Sequence, residues 1–203
     1  MLKDLDDVRT YTENLASAFP NLAEEIVFRR NGVSAQDLDS LRGEIGIPPM
    51  YSACASAWQL HGISLGFFAL WPGFQRKSGL VTALRDINVN HNADASVIAV
   101  HSKNSVIVAR EEADWICVGN INSKYPDNVF YADFIESSAW VLIDISSNFK
   151  NFILLAANLH KIAYSNSGDI SAVNREMNDI CEALGCNRGQ TDFWLGKLSE
   201  LIS

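Results

Sequence analysis

Cys54 and His61 are the first residues whose types could do chemistry together, since an imidazole can take the proton of a thiol nucleophile. Seven positions on one helix would place them on one face but about 10.5 Å apart along the axis, and activation needs a reach of roughly 3 Å. The spacing therefore argues against a thiol and base pair. His91, Asp94 and His101 come nearest to a metal-ligand set, yet no fourth ligand accompanies them, and His91 belongs to a polar loop, 88–94, that such residues fill anyway. Cys181 and Cys186 straddle Gly185 at an expected helix end, without zinc-knuckle spacing or a nearby histidine, and are read as structural. No GxGxxG or GxxxxGK[ST] string supplies a phosphate cradle. Glu111, Glu112 and Asp114 occupy an expected turn, where successive side chains diverge and water keeps carboxyl groups near ordinary acidity. They are better placed to meet a partner than to exchange protons. No catalytic residue, metal ligand or cofactor site is assigned, and the chain is expected not to be an enzyme.

The elements that would position these residues follow from periodicity. Residues 105–134 hold three short apolar runs, Val106 to Ala109, Trp115 to Val118 and Val129 to Tyr131, separated by Asp, Asn, Gly and Pro, the pattern of an antiparallel meander. Ile63 to Trp71 is a continuous apolar run bounded by Gly62 and Pro72-Gly73 and is expected to form one strand beside the meander. Val97 to Val100 and Trp140 to Ile145 read as further strands. Helices are expected up to Ala18, from Leu22 toward Asn31-Gly32, from Ser34 to Ile45 with Ser34 as cap and Gly46 as stop, from Met50 to Leu60 and from Leu80 to Val89. After a cap at Ser146 or Ser147, Phe149, Ile153, Ala156, Ala157 and Ile162 share a helix face, and Gly168 ends that helix. Helices near Ser171 to Leu184 and Asp192 to Leu201 close the chain. The expected fold is α+β: an antiparallel twisted sheet of about five or six strands packed by helices, with a helical C-terminal extension.

The 203 residues suit one domain, and no Pro/Gly/Ser-rich linker divides them. An apolar share of 48% against a charged share of 20% is that of a folding chain. The formal net charge of -8 argues against nucleic acid or an anionic membrane as partner and favours a basic protein. No run approaches the roughly 20 apolar residues of a membrane span. The opening MLKDLDDVRTY is too charged for a secretory signal, so a cytoplasmic location with reduced thiols is expected. Trp71, ahead of Pro72-Gly73-Phe74 at a strand end, could double as a contact anchor, although an indole is more often core. With Asp127 in the next polar break, the expected partner-contact residues are Trp71, Glu111, Glu112, Asp114 and Asp127.

Three pieces in order resemble the SMI1/KNR4 (SUKH) superfamily. Leu41, Glu44, Ile45, Gly46, Ile47 and Pro48, then Met50-Tyr51, resemble its first helix, Leu-Pro turn and second helix. His61-Gly62-Ile63 to Leu70 sits where the family has Asn-Gly and its first strand. Ser147, Phe149, Phe152 and Ile153 resemble its closing Ser-Phe-x-x-Phe-Leu helix. The resemblance covers about residues 35–160 and leaves N-terminal helices within 1–33 and a C-terminal extension of 165–203 outside it. Ile47, His61 and the inserted Asn148 depart from the family pattern. The resemblance implies a non-enzymatic protein-binding domain, in bacteria an immunity protein that neutralises a polymorphic or contact-dependent toxin, often a nuclease. The alternative is a scaffold or regulatory interaction module, and a hydrolase ranks third.

Overall fold

The computed structural model describes residues 1–73, 79–91, 94–133, 141–165 and 169–202. Helix α1, Leu5–Ala18, starts where the Asp4 carboxylate accepts from the Asp7 backbone N–H at 2.8 Å, and it buries Leu5, Val8 and Leu15 along one side. A 3-10 turn, Pro20–Leu22, and the single-turn α2, Ala23–Ile26, follow. The helix expected to reach Asn31-Gly32 stops at Val27, which is extended, and Phe28 then turns inward to stack on Trp58 at 4.7 Å. Helix α3, Ala35–Ile45, keeps its expected ends: Ser34 accepts from the Asp37 N–H at 3.2 Å, and Gly46 caps it in the left-handed region. Helix α4, Pro49–Ala57, begins at a proline and ends before Leu60.

Six strands run antiparallel in chain order among the described residues: β1 Ser64–Leu65, β2 Phe68–Ala69, β3 Ser105–Glu111, β4 Asp114–Gly119, β5 Val129–Asp133 and β6 Val141–Ser146. The fold is α+β. Two elements differ from their sequence reading. The run from Ile63 to Trp71 is a hairpin, because Gly66 at φ 61 reverses the chain and pairs Leu65 with Phe68. Val97 to Val100 belongs to helix α6, Ala95–His101, whose first turn Asp94 caps through the Ser96 N–H at 2.8 Å. Burial shows the helical period: Val97 and Val100 are enclosed while Ile98 is 52% exposed. Helix α5, Gly79–Arg85, continues into a π turn, Asp86–Asn90. Phe74, Phe134, Trp140 and Gly168 lie outside the described residues.

Helix α7, Phe149–Tyr164, is capped by Asn148 rather than by either serine, and its buried side chains run from Phe149 to Ile162. One hydrophobic cluster joins it to Val8 of α1, Leu41 of α3, Ile116 and Val118 of β4, Met177 of α8 (Ile170–Ala183) and Trp194 and Leu198 of α9 (Arg188–Ile202). The other sheet face carries a smaller cluster of Val97, Val100, Ile107, Trp115, Cys117 and Ala132. Polar side chains tie distant segments to this core. Asn158 of α7 accepts from the Leu2 N–H at 2.7 Å and donates to the Leu2 carbonyl at 3.0 Å. The Trp194 indole N–H donates to the Ile145 carbonyl of β6 at 2.9 Å, and Gln190 donates to Asp144 at 2.9 Å. No helix among the described residues is long and apolar enough to cross a membrane.

Candidate functional site

Glu111, Glu112 and Asp114 converge where β3 turns into β4. The turn is tighter than the sequence suggests, because Glu111 pairs directly with Asp114 and leaves Glu112, at φ 47, and Ala113 as the loop. Strand alternation then directs Glu111 and Asp114 to the helix-covered face, where they are 7% and 8% exposed. The expectation of a solvated Glu111 with ordinary acidity is corrected: burial pushes its pKa up, against the opposing pull of the Lys197 ammonium.

Other elements complete a pocket of about 320 Å³ around this turn. β5 supplies Tyr131 and Asp133, α9 supplies Lys197 and Glu200, and the β1–β2 turn supplies Phe67. The Tyr131 hydroxyl donates to Asp114 Oδ2 at 2.6 Å. Its pKa is driven upward by burial and by that bond, so it remains a phenol and serves as a donor. Lys197 Nζ donates to Glu111 Oε1 at 2.9 Å and to Glu200 Oε2 at 3.1 Å, and lies 5.0 Å from the Tyr131 ring centroid. Glu111 Oε2 is buried without a hydrogen-bond partner among the described residues. Among the described residues, five carboxyl groups and one ammonium line the pocket beside two aromatic rings. An acidic lining of this kind suits a cation, and a guanidinium best: its planar fork can bond two carboxylate oxygens and its face can lie on Tyr131 or Phe67.

The remaining expected contact residues lie elsewhere. Trp71 is 3% exposed, stands 5.6 Å from the His61 ring and belongs to the core, so it has little surface to present. Asp127 sits beyond the opposite end of β4, half-buried, where it accepts from the Met50 N–H at 2.9 Å in the first turn of α4. Tyr131, Asp133, Lys197, Glu200 and Phe67 escaped the sequence reading. Lys197 is 86 residues from Glu111, and no local pattern announces that pairing.

Cys54 is buried, its thiol pushed up to about 12 by desolvation, and α4 ends before His61. The His91 ring donates to the Asp86 carbonyl at 2.7 Å, Asp94 caps α6, and the His101 ring donates to Asn88 at 3.1 Å. Among the described residues no group of three or more His, Cys, Asp or Glu side chains is disposed to hold a metal ion. A wider groove of about 450 Å³ includes Arg42, Glu44, Asn88 and His101. There Arg42 pairs with Asp39, Glu44 with Arg85, and Asn88 with His101. Comparison with family models, curated proteins and solved structures gives no significant match.

Proposed function

We propose that this chain is a non-enzymatic, cytoplasmic protein-binding domain, an immunity protein that neutralises a cognate basic toxin by direct contact through the acidic pocket. The observation that carries this reading is the convergence of Glu111, Glu112, Asp114, Asp133 and Glu200 on one concave site. Complementary charge raises association rates and penalises wrong partners, and nuclease surfaces are basic. The resemblance to SMI1/KNR4 proteins supports the same role. Outside the pocket, Asp6 pairs with Arg30 and Arg9, Asp39 with Arg42 and Glu44 with Arg85.

The test is coexpression with the product of an adjoining gene, with cell survival and complex formation as readouts. Protection and a tight complex are expected, with association slowing as salt rises. Glu112→Lys, at an exposed turn, is expected to slow association about tenfold or more while leaving folding intact. A scaffold would instead bind several partners weakly. Unchanged association by the Glu112 variant removes the pocket from the contact, and chemical turnover by the isolated chain overturns the reading as a whole.

A further inference from the structure

Helix α8 ends in a geometry that juxtaposes two thiols. Its chain reverses at Gly185, φ 71, so that the Cys186 N–H donates to the Cys181 carbonyl at 2.9 Å and the Gly185 N–H donates to the Glu182 carbonyl at 3.0 Å. This pair of reversed hydrogen bonds is the Schellman motif, which brings the side chains five positions apart across the helix end into contact. That contact is ordinarily apolar. Here it joins Cys181, buried in the main core, to Cys186, half-buried and packed against the same cluster. The two thiols are hydrogen-bonded to one another.

We propose that Cys181 and Cys186 form an oxidisable dithiol that closes an intramolecular disulfide on reaction with a hydroperoxide. The backbone bonds already hold the two main chains close, and a disulfide requires its Cα atoms within about 7 Å. Cys186 is the attacking sulfur, for it is the more accessible, and its hydrogen bond with Cys181 lowers its pKa toward the thiolate. Its sulfur attacks one peroxide oxygen; an S–O bond forms as the O–O bond breaks, and the departing hydroxide takes a proton to become water. Cys181 sulfur then attacks the Cys186 sulfenic acid, an S–S bond replaces the S–O bond, and the Cys181 proton leaves with the oxygen as a second water. Two thiols are oxidised by two electrons and hydrogen peroxide is reduced to two waters.

The chain contains its own controls. Cys54 and Cys117 are buried and their thiols are pushed upward by desolvation. Nothing in this chemistry depends on the acidic pocket, whose α9 residues lie near the other end of that helix.

Treatment of the intact folded chain with hydrogen peroxide, followed by alkylation of remaining thiols and tryptic mass spectrometry, tests the proposal. Cleavage after Arg175 and Arg188 releases both cysteines on the fragment 176–188. That fragment is expected to be lighter by two hydrogens and unalkylated, to revert with dithiothreitol, and to show no internal bond in Cys186→Ser. Cys54 and Cys117 are expected to be alkylated in full on unfolding after the peroxide is removed. Sulfenic or sulfinic acid at Cys186 with Cys181 still free overturns the proposal. So does a bond between two chains, or oxidation of Cys54 and Cys117 at an equal rate.

Discussion

Glu111 sets burial against charge in one side chain. A buried carboxylate carries a desolvation penalty that its pairing with Lys197 offsets only in part, since one oxygen has no bond among the described residues. Removing the ammonium leaves that charge alone, so Lys197→Met is expected to destabilise the fold by about 3 kcal/mol at neutral pH. The sign of its pH dependence follows from the raised pKa of Glu111. A carboxyl that holds its proton more tightly when folded gains stability as pH falls, so the deficit is expected to shrink under mild acid. Urea denaturation of wild type and variant at both pH values measures this. An equal deficit at both would place its cause in lost packing of the lysine stem.

Helix α9 carries the pocket's lysine and also buries Trp194 and Leu198 in the core. Trp194 is fully buried, lies 5.4 Å from the Phe68 ring and 6.1 Å from the Phe152 ring, and fixes the helix to β6 through the Ile145 carbonyl. Trp194→Ala is expected to destabilise the protein by about 4 kcal/mol, and Trp194→Phe by about 2 kcal/mol through the unsatisfied carbonyl and lost volume. Denaturant midpoints report both values. Hydrogen exchange in β6 and α9 is expected to accelerate together, because the Trp194 ring and its bond to Ile145 couple them alongside the Gln190–Asp144 bond. Equal exchange in wild type and variant would show that α9 does not hold β6. The N-terminal segment is held in the same manner by Asn158 of α7.

Across the whole molecule, opposing groups set the response to acid. Burial lowers the pKa values of His101 and His160, so the unfolded chain binds their protons first, near 6.5, and stability falls as pH drops through that range. Asp6, Glu44 and Asp94 are held below the usual carboxylate range by their Arg30, Arg85 and Ser96 hydrogen bonds, and extend the loss further into acid. Glu111 acts against both trends. Stability is therefore expected to peak near neutrality, and a His101→Gln, His160→Gln double variant is expected to have a flatter limb from neutral to mildly acidic pH. An unchanged limb in thermal melts would assign the loss to other groups.

Local chemistry was legible wherever one segment decides its own conformation. Ser34 and Gly46 mark the ends of α3, Pro49 starts α4, and the β-branched and aromatic runs of β3, β4 and β5 declare the meander. The α+β class follows from these signals, as does the gathering of three acids at one strand connection. Short apolar runs were ambiguous: Val97 to Val100 suits a strand by residue type, and the cap at Asp94 with burial at every third position makes it helical. Tertiary structure alone decided that Glu111 and Asp114 face inward, because one step in the extent of a turn exchanges the two faces of a strand. It alone brought Lys197 and Glu200 of α9 to that turn, since contacts between residues far apart in the chain arise from packing and leave no periodic trace.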